Sequence, residues 1–228
     1  MKHLINNVKI AVNEKTYVKD PESSDLGKRI VQHGIALISE VGFENFTFRK
    51  LGTRIGSNES SVYRYFENKH KFLIYLTSWY WGWKEYQLVL HTNSIQDPAL
   101  KLERALKVIT EPVEKDSSFS YIDEAALYQI LINEYSKSFL TKEVDRENKE
   151  GYFEIYKRMV GRLRDMIWTL KPNYPYPASL ASSVLEGAMH QYFLMEHFPS
   201  LTDCRDNESL YVFFRHLVFT SLNVQIDD

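Results

Sequence analysis

The chain has 228 residues, 44% of them hydrophobic, 14% aromatic and 25% charged, with a formal net charge of −2. That is ample apolar material for a packed core, and it excludes a disordered, collagen-like or disulfide-stapled chain. A single cysteine, Cys204, makes no intrachain disulfide, and no Cys/His cluster has the spacing of a structural zinc site, so a reducing cytoplasm is the expected location.

In chain order, the leader comes first. Met1 to Asn7 lack an apolar block followed by a small-residue cleavage site, so no export signal is expected. Val8, Ile10 and Val12 then alternate with polar residues, and Thr16-Tyr17-Val18 can return after Asn13-Glu14-Lys15. This pattern predicts a possible short β-hairpin in an arm of residues 1–22.

From Ser23 onward the apolar residues recur at three- and four-residue spacing, which predicts an all-α architecture of about nine helices. The first runs from Ser23 or Ser24 to Gly42, the second from about Thr47 to Ile55, and the third from Glu59 to Phe66 after a break at Gly56-Ser57-Asn58. Asn68 caps a long fourth helix to about His91, and Asp97-Pro98 starts a fifth to about Glu111. The remaining helices are expected at Tyr121 to Ser138, Glu143 to Leu170, Ala178 to His197 and Glu208 to Asn223. Within the last of these, the longest apolar stretch, Leu210 to Val218, is interrupted by Arg215 and His216. It falls short of the roughly 18 to 20 apolar residues of a membrane span, so no membrane partner is expected.

Charge is unevenly spread. Residues 25–75 carry eight basic and five acidic side chains, whereas residues 76–228 carry 16 basic and 22 acidic ones. A basic segment on an acidic body is what a polyanion partner at one end would require, although a solvated charged face gives the same count.

The informative stretch is Gly42 to Leu73, where two short helices flank a glycine-containing turn in the manner of a helix-turn-helix. Thr47 can cap the first helix and place its hydroxyl near a phosphate. Phe48, Leu51 and Ile55 form its buried stripe, and Gly56 stands where the chain turns sharply. Asn58, Glu59, Ser60 and Ser61 crowd the start of the second helix with short polar groups able to reach phosphates and base edges. Val62 and Phe66 anchor that helix inward, while Tyr63, Arg64 and Tyr65 offer hydroxyls and a guanidinium to a duplex. Lys69 adds an ammonium at the start of the long helix. The alternative is an ordinary helical hairpin in an all-α protein.

Gly42-Phe43, Phe46-Thr47, Leu51-Gly52, Ile55-Gly56 and above all Val62-Tyr63-Arg64-Tyr65-Phe66-Glu67-Asn68-Lys69 resemble the DNA-binding domain of TetR-type (tetracycline-repressor-like) transcriptional regulators. The resemblance covers about residues 26–75; the rest matches only in length and helix content. It implies a three-helix DNA-binding domain (residues 23–70), followed by a helical effector-binding and dimerisation domain (residues 71–228). By position, Thr47, Tyr63, Arg64 and Lys69 would be DNA contacts, with Asn58 to Ser61 at the reading end. The chain departs from the family pattern at Ser57, at Glu59 and in its long leader. Glu59 can accept from cytosine N4 or merely favour the helix N-terminus, so specificity does not carry over.

The expected function is therefore a homodimeric, sequence-specific regulator on a palindromic duplex operator, a repressor released by a small apolar effector. The expected effector pocket uses Trp79, Trp83, Tyr86, Tyr128, Tyr152 and Trp168, although aromatic residues at helical spacing also serve as plain core. The dimer face is expected on the last two long helices, from Leu180, Val184, Ala188, Gln191 and Met195 beside Leu210, Phe213, Phe214, Leu217, Val218 and Ser221. Glu186, His190 and His197 share a helical face, but interface polarity explains them better than a metal, and neither metal nor cofactor is expected. No catalytic motif stands out, so an enzyme is not expected. The rival readings are a DNA-binding regulator without a small ligand, and a helical enzyme or adaptor whose helix-turn-helix is structural.

Overall fold

A computed structural model describes residues 9–111 and 121–225 of the chain. They form ten α-helices and no strand: α1 (Asp25–Asn45), α2 (Phe48–Arg54), α3 (Glu59–Tyr63), α4 (Lys69–Thr92), α5 (Pro98–Thr110), α6 (Glu124–Phe139), α7 (Val144–Lys149), α8 (Glu154–Leu170), α9 (Pro177–His197) and α10 (Asn207–Leu222). No helix among the described residues is long and apolar enough to cross a membrane.

Most helix starts are written locally. The side chains of Ser24, Thr47, Asn58, Asp97, Asp123 and Asp206 each accept a hydrogen bond from a backbone amide in the first turn of the helix that follows. Two expectations change. Where one helix is predicted over Glu143 to Leu170, there are two, because Gly151 adopts φ 82° after Glu150, the C-cap of α7. Gly151 N–H donates to the Asn148 carbonyl and Tyr152 N–H to that of Glu147, the paired bonds of a glycine-terminated helix end. The leader is the second change. In place of a hairpin, residues 9–23 contain two single-turn 3₁₀ segments, Glu14–Thr16 and Pro21–Ser23, whose starts are capped by Asn13 and Asp20. Val8 lies outside the described residues.

The chain divides into two compact units. The first comprises the described residues up to Gly82 and those from Tyr121 to Ile155. Its centre is aromatic: Phe72 stacks on Phe46 with ring centroids 5.5 Å apart and meets Phe66 edge-on at 4.8 Å. The leader packs here. Ile10 is buried beside Gly82, Val18 N–H donates to the Tyr65 carbonyl at 2.8 Å, and Tyr17 meets Tyr75 edge-on. On the other flank α6 lies along α1, with Lys137 paired to Glu44 at 2.7 Å and Tyr121 O–H donating to Glu22 at 2.6 Å.

The second unit comprises Trp83 to Glu111 and Tyr156 to Gln225. Here α10 packs on α5 and α9, and the Phe214 ring fills the space above Gly187. Glu103 of α5 accepts from Tyr211 O–H and Arg215 of α10, at 2.9 and 2.6 Å. Glu85 of α4 is buried against α8, where Arg158 and Arg162 both donate to it.

Candidate nucleic-acid interface

The helix-turn-helix lies wholly in the first unit. Its two short helices are held by buried Phe48 and Leu51 from α2 and Val62 from α3. Gly52 permits their close approach, since a Cβ there would lie 2.6 to 2.9 Å from the backbone of Asn58 and Glu59. Gly56, at φ 66°, makes the turn. Two arginines lock this motif from behind. Arg29 of α1 donates to the Ile55 carbonyl, and Arg54 pairs with both carboxylate oxygens of Glu40 at 2.5 and 2.7 Å.

The nine residues named for DNA contact divide by what the fold asks of them. Thr47, Glu59, Ser60, Tyr63 and Arg64 are exposed. The Tyr63 ring stands edge-on to Phe48 at 5.0 Å, which fixes its direction while half of the side chain stays in solvent. Asn58 and Ser61 are exposed and half-buried, respectively, and they also serve the helix: the Asn58 side-chain Oδ1 accepts from Ser61 N–H at 3.0 Å and from Ser61 Oγ at 3.2 Å. Ser57 Oγ joins them at 2.9 Å from Ser61 Oγ. Lys69 is half-buried; its ammonium lies over the Phe43 ring at 4.9 Å and donates to the Phe43 and Glu44 carbonyls at 3.3 Å each. Tyr65 does not face solvent. It is 3% exposed and its hydroxyl bonds to Ser24 Oγ at 2.7 Å, so a side chain expected to face a duplex instead ties α1 to the end of the motif. Arg49 and Lys50, two basic residues directly behind the Thr47 cap, are also exposed on α2.

The aromatic side chains named for an effector are split between the units. Trp79, Tyr128 and Tyr152 are buried in the first, with Tyr128 stacked on Tyr80 at 5.6 Å and the Tyr152 hydroxyl donating to Glu150 at 2.8 Å while accepting from Lys71. Burial lowers the Lys71 pKa, with Glu147 and Glu150 opposing, and burial together with Glu150 raises that of Tyr152. In the second unit Trp83 is buried, Tyr86 half-buried and Trp168 51% exposed. Two clefts of about 330 Å³ each open in that unit, and none of the six aromatics lines either.

Of the side chains named for the dimer face, Leu180, Val184, Ala188, Leu210, Phe214 and Val218 are buried within the protomer, because α9, α10 and α5 need them for their own packing. Gln191, Met195 and Ser221 are half-buried, and Phe213 and Leu217 are exposed, joined by Val212, which the periodicity did not single out. Glu186 accepts from Tyr156 O–H, while His190 and His197 flank the Phe193 ring.

Residues 30–76 match the model of the family described as bacterial regulatory proteins, tetR family. A comparison with curated proteins gives no match. Among solved structures, AibR in complex with isovaleryl coenzyme A and operator DNA is similar at a TM-score of 0.59 and 16% identity, over 83% of this chain and 96% of that one. The fatty acid degradation regulator FadR from Bacillus halodurans gives 0.62 and 15%, over 89% and 98%. A transcriptional regulator from Rhodococcus sp. Rha1 gives 0.58 and 15%, over 91% and 100%. Residues 30–76 therefore carry the match to the tetR family, and the described residues share the fold of these solved regulators.

Proposed function

We propose that the protein is a cytoplasmic homodimeric repressor that binds a palindromic operator and leaves it when a small effector binds. In this reading residues 23–70 meet DNA, residues 71–228 bind the effector and form the dimer, and the leader braces the head through Ile10, Tyr17 and Val18. The observation that carries the proposal is the exposed rim of Thr47, Arg49, Glu59, Ser60, Tyr63 and Arg64 above the buried Phe48–Leu51–Val62 seam. Tyr63, Thr47 and Arg49 suit phosphates, which fix register without reading sequence. Glu59, Ser60 and Arg64 suit base edges. Lys69 contributes through the Phe43 and Glu44 carbonyls as well as through any phosphate, so its removal acts partly by loosening the end of α1.

The test is a fluorescence-anisotropy titration of genomic fragments flanking the gene, over a salt series. Arg49→Ala is expected to weaken specific and non-specific binding alike and to flatten the salt dependence by about one unit per subunit. Arg64→Ala is expected to cost about 1 to 3 kcal/mol at particular base pairs and to relax specificity there. No affinity for any duplex would return the chain to the reading of a structural helix-turn-helix. Because the solved neighbour AibR holds isovaleryl coenzyme A, acyl coenzyme A thioesters belong in the first panel of compounds tried for release.

A further inference from the structure

We infer that the cleft between the end of α4, the α4–α5 turn and α8 is a binding site for a small carboxylic acid with an apolar body. The inference rests on the reading of the chain as an effector-controlled regulator and gives that effector a place and a chemical class. The cleft, about 330 Å³, lies at the lower end of the size range of small-molecule sites and has room for one small compound. One part of its lining is apolar, from Val89, Ile95, Pro98 and Met166. Arg162 and Lys101 also line it.

The two cations lining the cleft argue for an anion. Glu85 is a single buried carboxylate held by two guanidiniums: Arg158 takes it in bidentate fashion at 2.7 and 3.2 Å, and Arg162 adds only Nε at 2.7 Å. Burial works against the Glu85 carboxylate, but the two arginines outweigh it and keep its pKa below the ordinary value. Arg162 gives Glu85 its Nε alone, so the rest of its guanidinium stands at the cleft, half exposed. Lys101, half-buried on α5, forms no ion pair among the described residues and adds a second cation. The one acid lining the cleft, Asp165, is occupied by Arg164 at 2.7 and 2.9 Å. A planar carboxylate matches the free edge of a guanidinium, and its single charge meets less repulsion from Asp165 than a phosphomonoester dianion would. The acyl or aryl body then buries against Val89, Ile95, Pro98 and Met166. Ligand at Arg162 would compete with Glu85 for that guanidinium, and so act on α4, the helix that begins beside the helix-turn-helix.

The experiment is calorimetric titration of the whole protein with hexanoate and benzoate, alongside hexanamide, benzamide and phenyl phosphate. Both acids are expected to bind, and loss of the charge-assisted contact, either in the amides or in Lys101→Gln, is expected to weaken binding roughly tenfold or more. Lys101 is partly solvent-exposed, so this variant keeps the fold; Thr169→Trp, on the exposed rim of α8, is a second variant expected to block the cleft by volume alone. Amides that bind as well as acids, tighter binding of phenyl phosphate, acid binding unchanged in both variants, or no binding of either acid at about 10 mM, far weaker than the ~1 mM scale of weak specific ligands, would each overturn the inference. Acids that bind as expected to a protein with no affinity for DNA would uphold the site and overturn the regulator reading, so the two failures remain distinct.

Discussion

Tyr63 and Tyr65 stand two residues apart with the same chemistry, and the fold gives them opposite surroundings. Tyr63 is half exposed on the rim, and Tyr65 is buried with its hydroxyl on Ser24. Removing the Tyr65 hydroxyl as Tyr65→Phe is expected to cost about 1 kcal/mol of stability in urea unfolding and to leave DNA affinity unchanged. Tyr63→Phe should do the reverse, and equal losses of DNA affinity in both variants would contradict the assignment. Lys84 offers a second test at this scale. Burial in the second unit pushes its pKa down to about 8 from an ordinary 10.5, with Glu111 opposing. Below pH 8 it is protonated in both the folded and unfolded states, and the full cost of burying the charge is present. Between pH 8 and 10.5 only the unfolded chain holds the proton, so stability is expected to rise with pH by a total of about 3 kcal/mol. Lys84→Met should be more stable than the parent at pH 7 and should lack that rise; urea melts of both proteins from pH 7 to 10.5 would show it.

At the level of elements, the glycine between α7 and α8 decides more than the apolar stripe on either side of it. The stripe runs on from Val144 to Leu170, but Gly151 takes a backbone conformation that a side chain disfavours, and its two capping bonds end α7. Gly151→Ala is expected to destabilise the protein by about 1 kcal/mol or more, read as a lower midpoint in thermal unfolding followed by circular dichroism. An unchanged midpoint would mean that the break is held by something other than the glycine. The leader makes the same point from the other side. Its polar and apolar alternation suits a strand, yet Asn13 and Asp20 cap single turns, and Ile10 and Tyr17 find buried partners on α4 that a local pattern does not contain.

For the whole molecule, the question is which apolar surface remains after each protomer has packed itself. On α9 and α10 the answer is Phe213 and Leu217 with Val212, since Leu210, Phe214 and Val218 are already spent on the core. If this face joins two subunits, the two recognition helices are separated by about 34 to 36 Å, one turn of the duplex, and the operator is a palindrome. The double variant Phe213→Asp, Leu217→Asp is expected to sediment as a monomer at micromolar concentration, to keep its helical content, and to lose operator affinity far more than non-specific affinity. Both side chains are exposed in the protomer, so the substitutions cost its fold little. A variant that remains dimeric would move the interface elsewhere.

Helix content, most helix starts and the helix-turn-helix were legible from the amino acids alone, because each depends on interactions spanning three or four residues: a capping side chain, a periodic stripe, a turn glycine. The likeness of residues 30–76 to the tetR family was legible for the same reason, from one continuous run ending in Tyr63-Arg64-Tyr65-Phe66-Glu67-Asn68-Lys69. Tertiary structure alone decided which of two tyrosines faces solvent, which half of the α9–α10 apolar surface stays uncovered, and that Arg158 and Arg162 share one buried carboxylate. Those outcomes depend on residues far apart in the chain competing for the same neighbour, and hydrophobicity and charge in a linear sequence state what a side chain prefers without stating which partner reaches it first.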